Sequence, residues 1–185
     1  MLNITAQLEH SERHKDWIAA GQGFSAHLGF EAEIQVQGLG RLDLELIWAD
    51  ANAARLSAGN SIEAAIWSDV GPRITLSRLW VLGGYELVRV ISESKMRLPA
   101  EVTLVKSSYE RVRMPLAKLE AAKKHRSTDF SVATPIVHQS DGIGWLLASN
   151  IFLTRRSLSD SFLNLGKILK AHAQPTRRCT TGRGT

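Results

Sequence analysis

Residues 75–96 read TLSRLWVLGGYELVRVISESKM. As a helix, this stretch is apolar around most of its circumference. Trp80, Leu87 and Ile91 share one face, with Gly83 and Gly84 at its flanks. The other side carries a polar stripe of Arg78, Tyr85, Glu86, Arg89 and Glu93, interrupted by Leu82. A helix that is apolar nearly all round belongs at the centre of its domain. Each helical glycine costs about 1 kcal/mol relative to alanine, so Gly83 and Gly84 are expected to let another element approach closely. Charges placed in an interior need partners, and the stripe is therefore expected to form a buried polar network. Glu86–Arg89 and Arg89–Glu93 have the spacing of intrahelical ion pairs.

The partner of this helix follows directly. After Arg97-Leu98-Pro99-Ala100, the residues Val102, Val105, Tyr109, Val112, Leu116 and Leu119 recur three and four apart. This spacing predicts an amphipathic helix over 101–126, kinked at Pro115. Together the two segments form an antiparallel αα-hairpin. The second helix and its exit carry Arg111, Arg113, Lys118, Lys123, Lys124, His125 and Arg126 against only Glu110 and Glu120. No aromatic except the seam residue Tyr109 is interleaved there, so base stacking is not expected on residues 111–126.

Upstream, residues 5–20 predict a helix ending at Gly21, docked by Leu8, Trp17 and Ile18 with EHSERHKD facing solvent. His10 and His14 lie four apart without a third ligand, which fits a solvated face better than a metal site. Across 30–48 the period changes. Phe30, Ala32, Ile34 and Val36 alternate with polar residues, as do Leu42, Leu44, Leu46 and Trp48 beyond Gly38-Leu39-Gly40. That pattern predicts a β-hairpin with Asp43 and Glu45 on its solvent face; a long helix is the rival, because Glu, Gln and Leu are good helix formers. Asp50 and Ser61 are positioned to cap two short helices closing at Gly59 and at Gly71-Pro72, with Thr75 as the next N-cap.

Downstream, 134–154 returns to strand character around the turn Ser140-Asp141-Gly142. Ser157-Leu158-Ser159-Asp160 resembles a capping-box start for a helix burying Leu158, Phe162, Leu165 and Leu169. The fold class expected is α+β, mainly helical. It comprises the hairpin of 75–96 and 101–126, short helices and two antiparallel β elements at 30–48 and 134–154. Residues 1–173 form one domain and 174–185 a flexible basic tail.

The 185 residues contain one cysteine, Cys179, and no apolar run near the ~20 residues a membrane helix requires. No signal-peptide order opens the chain. A cytoplasmic protein with no membrane partner is the expectation. The net charge of +5 is unevenly distributed: residues 1–103 carry nine basic and thirteen acidic side chains, residues 104–185 fourteen and five. Such a split points to an acidic partner.

Tests for a phosphate loop, a dinucleotide fingerprint, HExxH and a nucleophile elbow all fail, and no cofactor or metal is expected. In architecture, the hairpin with its basic face over about 75–126 resembles the HEPN class of helical domains. Many of those are ribonucleases using an arginine followed, after four to six residues, by a histidine. Here the nearest pairs are Lys118 with His125 and Lys167 with His172. Lysine lacks the planar fork that grips phosphate at two points, so no active site is carried over.

Three functional expectations result. The first is a non-enzymatic module binding RNA or DNA through Arg111, Arg113, Lys118, Lys123, Lys124, Arg126, Arg155, Arg156 and the tail. The second is a protein-interaction or homo-oligomeric module whose central helix or 102–119 seam is completed by a second chain. The third is an enzyme built on Arg78, Tyr85, Glu86 and Arg89.

Overall fold

The computed structural model describes residues 4–57, 63–138 and 140–173. The described residues form five α-helices and a three-stranded antiparallel sheet: α1 (Ile4–Leu28), α2 (Phe30–Ser57), α3 (Glu63–Ser92), α4 (Glu101–Ala117), β1 (Thr134–His138), β2 (Gly142–Ala148), β3 (Ile151–Thr154) and α5 (Arg155–Ala173). The chain is therefore mainly helical with a small sheet, the expected class. Gly59, Ser61 and the tail 174–185 lie outside the described residues.

The expected αα-hairpin is present as α3 and α4. Val102, Val105, Tyr109, Val112 and Leu116 are buried, and a Cβ on Gly84 would stand 2.8 Å from the Tyr109 ring. Gly84 thus lets the two helices close on each other. Three boundaries differ from expectation, the first being that α3 ends at Ser92 rather than Met96. α3 runs unbroken through Gly71-Pro72, so Thr75 caps nothing. α4 runs through Pro115 and stops at Ala117, where the Lys118 N–H closes on the Met114 carbonyl and the chain turns at Leu119 with φ 55°. Leu119 therefore leaves the buried seam.

Residues 30–48 are not a hairpin. They are the first two-thirds of α2, and Gly38-Leu39-Gly40 lies inside the helix. The buried residues Ala32, Val36, Gly40, Asp43 and Leu46 follow the helical period. The alternation was produced by Phe30, Ile34 and Trp48, which are exposed on the opposite side of the helix. α1 likewise passes through Gly21 and ends at Gly29, the one residue separating it from α2, with φ 93°. That left-handed conformation is costless only for glycine. The polar segment of α1 does not face solvent throughout, since Arg13 points inward. Trp17 is buried as expected, Ile18 is partly exposed, and the Leu8 side chain is outside the described residues.

α1 lies between α2 and α5. Contacts from Arg13 to Asp160 and from Gln22 to Lys170 advance together along α1 and α5, so these helices run in the same direction. They meet where a Cβ on Gly23 would fall 2.0 Å from the Gly166 carbonyl oxygen. An aromatic file fills the interior: Phe24 stacks on Phe162 at 4.7 Å, and Trp17 meets Trp80 edge-on at 6.2 Å. Trp80 donates its indole N–H to the Leu39 carbonyl at 2.9 Å, satisfying its one polar atom.

The sheet has the order β1-β2-β3, with Ile136 opposite Gly144 and Trp145 opposite Leu153. Gly142 (φ 72°) closes the predicted turn. α5 begins three residues earlier than a cap at Ser157 predicts. Its cap is Thr154, whose Oγ1 accepts the Ser157 N–H at 2.9 Å.

Candidate functional site

Two constellations of polar residues stand out, one buried and one at the surface. The buried one starts from α2. With α2 helical, Asp43 and Asp50 are seven residues apart, two turns along one face. Arg155, the first residue of α5, bridges them: Nη1 donates to Asp43 Oδ1, and Nη2 reaches Asp50 Oδ2 at 3.2 Å. Arg73 of α3 holds Asp50 through Nε at 2.9 Å and Nη2 at 2.5 Å. Arg13 of α1 donates from Nε to Asp43 Oδ2 at 2.8 Å, from Nη1 to Asp160 at 2.6 Å and from Nη2 to the Ser159 hydroxyl at 2.5 Å. The Trp17 indole N–H adds a bond to Asp43 at 3.1 Å.

Three guanidiniums therefore meet three carboxylates, of which only Asp160 is exposed. Burial opposes the charge of Arg13, but the attraction and hydrogen bonds of Asp43 and Asp160 outweigh it and raise its pKa. Nearby, burial, reinforced by the charge of Asp43, pushes the Tyr109 phenol well above its ordinary value. Tyr109 stays protonated and donates to the Leu158 carbonyl at 3.2 Å. Asp43 and Arg155 have no exposed surface, so no substrate can touch them. The constellation locks four helices together.

Neither Asp43 nor Arg155 was expected in this role. Period two puts Asp43 on the solvent face of a hairpin and charge puts Arg155 among phosphate-binding cations, but both are fully buried, which removes Arg155 from any binding surface. The signal that could have found them is the seven-residue spacing of Asp43 and Asp50, which has meaning only once 30–57 is read as a helix.

The α3 stripe is not a buried network. Arg89 sits at the surface and pairs with the exposed Glu86 at 2.8 Å and Glu93 at 2.6 Å, the intrahelical pairs its spacing indicates. Exposed pairs of this kind contribute little to stability, because solvent screens them. Arg78 donates to the Leu116 carbonyl, and Tyr85 is buried beneath the Arg113 guanidinium, 4.9 Å from its ring centroid. These side chains do not converge on one point. His10 and His14 are both exposed, and among the described residues no three His, Cys, Asp or Glu side chains gather as a metal site.

The surface constellation is what remains of the basic set. Arg111 forms a two-point fork with Asp129, both bonds 2.7 Å, and this bonding lowers the Asp129 pKa. Arg113 covers Tyr85, and Arg156 lies 3.8 Å from Asp160. Lys118, Lys123, Lys124 and Arg126 are exposed. Arg126 approaches Glu120 at 3.5 Å, while the three lysines have no ion-pair partner among the described residues.

These four cations lie on the segment linking α4 to the sheet, which includes a short 3₁₀ turn at Lys123–His125. The segment is anchored from beneath by buried Ala121 and Ala122, by the Arg111–Asp129 fork and by an Asp129 N–H bond to the His125 carbonyl at 2.8 Å. No described helix is long and apolar enough to cross a membrane. No protein-family model, curated protein or solved structure matches this chain.

Proposed function

We propose that the protein is a non-enzymatic module that binds a phosphate-bearing polymer, RNA or DNA, through the turn of residues 118–126. The observation that carries this reading is the grouping of Lys118, Lys123, Lys124 and Arg126 on an anchored, exposed segment. A fixed backbone holds the charges together, so binding need order only their side chains. The surface is smaller than the full basic half of the sequence, because Arg111, Arg113, Arg155 and Arg156 face partners within the chain. The experiment is a titration of labelled RNA and DNA at about 50 and 300 mM salt, where phosphate contacts release counterions. Affinity falls steeply with salt in the wild type and is lost in K118A/K123A/K124A/R126A. Salt-independent affinity, or an unchanged variant, refutes the reading.

A specific observation favours a second reading, a contact with another protein chain. Phe30 and Ile34, one turn apart on the outer face of α2, are 66% and 57% exposed, and Trp48 lies farther along the same face beyond Gln37, Arg41 and Glu45; an adjacent pair of exposed large apolar residues is a feature an interaction site uses. The 102–119 seam is not available for this, since α3 and α5 already cover it through Leu116. Sedimentation decides: an assembly dissociated by Ile34→Glu with Trp48→Glu supports the contact, and a monomer at micromolar concentration opposes the homo-oligomeric form.

A further inference from the structure

We infer that the 118–130 surface takes a single strand of nucleic acid, with Leu119 and Phe130 providing apolar contacts for unstacked bases; this rests on the reading above. Leu119 is the first observation. α4 closes with the Lys118 N–H on the Met114 carbonyl at 2.9 Å, and the next residue is left-handed at φ 55°. Glycine is the ordinary occupant of that position, and a branched side chain is strained there. Its side chain is 63% exposed, so packing within the chain does little to offset the strain. The residue sits between the cations, directly after Lys118. A strained residue with an exposed apolar side chain points to a contact made outside the chain.

Phe130 is the second observation, and it comes from a different part of the segment. Its N–H donates to the Leu147 carbonyl of β2 at 2.6 Å, and the preceding Asp129 is tied to His125 and to Arg111. The backbone is thus fixed within one turn of Lys123–His125 while the residue remains 42% exposed. An exposed aromatic ring on a fixed backbone, four residues beyond Arg126 in the same segment, is the usual kind of platform for a base. Residues 111–126 by themselves offer no such ring; the turn through Asp129 adds one.

A duplex presents phosphates and hides the faces of its bases. A single strand presents both, and only the single strand uses the leucine and phenylalanine as well as the lysines. Each stacked base contributes enough that losing it weakens binding roughly tenfold.

The test uses the full chain and one mixed-sequence oligonucleotide of about 15 nucleotides, single-stranded and as its duplex, with anionic vesicles as a further probe. The wild type prefers the single strand. F130A loses about tenfold in affinity for it and binds the duplex unchanged. L119G also binds the single strand more weakly, while its melting temperature stays the same or rises, which separates a binding role from a structural one. Equal affinity for strand and duplex, or wild-type affinity in both variants, overturns the inference and leaves a purely electrostatic site. Binding to vesicles but not to oligonucleotides overturns it in favour of a lipid surface. Failure of the underlying reading has a different signature: K118A/K123A/K124A/R126A then binds like the wild type, or no polyanion binds at all.

Discussion

Asp43, which has no exposed surface, receives two guanidiniums and an indole N–H. Asp43→Asn keeps the shape but leaves Arg13 and Arg155 facing a neutral amide in the interior. Breaking a buried pair by removing one partner costs about 3–5 kcal/mol, and urea denaturation is expected to show a loss of that size. A change of less than about 1 kcal/mol means water reaches the site. Asp129 behaves differently because it titrates. Its folded pKa is depressed by the Arg111 fork below the unfolded value of about 3.9. Its contribution is therefore complete above that value and is lost as pH falls through the folded pKa. The stability gap between wild type and Asp129→Asn is expected to be widest near neutrality and to close on acidification, as followed by denaturation midpoints. A gap that widens toward low pH contradicts the pairing.

α2 shows how one element can satisfy two patterns. Its glycines make the helical reading testable, because Gly38 and Gly40 face opposite surroundings. A Cβ on Gly38 meets nothing within 4 Å, whereas on Gly40 it falls 2.5 Å from the Trp17 ring. Gly38→Ala is expected to stabilise by about 0.5–1 kcal/mol through backbone entropy. Gly40→Ala is expected to destabilise by about 1–3 kcal/mol through overpacking. A hairpin turn at 38–40 predicts losses at both positions, so thermal melts of the two variants separate the structures. The same element explains an error of reading. Phe30, Ile34 and Trp48 supplied apolar residues on the outer face of α2, and with them the chain imitates period two. The 102–116 seam was legible because its outer face holds charges and its apolar residues lie on one side only.

Over the whole molecule, the uneven charge of the two halves is partly an internal matter. Asp43 and Asp50 hold Arg155, Asp16 holds Lys167 at 2.8 Å, and Asp160 returns the arrangement to Arg13. Acidic residues early in the sequence meet basic residues late in it, so among the described residues part of the basic half is already neutralised within the chain. Because this lattice ties α1, α2, α3 and α5, they are expected to unfold together. Tryptophan fluorescence, to which the buried Trp17, Trp80 and Trp145 contribute along with two further tryptophans, and far-ultraviolet dichroism, which reports the helices, should give coincident transitions. Separate midpoints would show that the lattice does not couple them. What the sequence determined by itself is local: the helical hairpin of α3 and α4 with its apolar seam, the Ser140-Asp141-Gly142 turn, and the lysines after α4. Spacing along a chain encodes those features directly. Tertiary structure alone decided that Asp43 and Arg155 are interior partners and that the Phe130 backbone is tied to β2. Each depends on residues more than a hundred positions apart, or on a turn closed by a distant strand. Burial and charge pairing are properties of such meetings, and no periodicity records them.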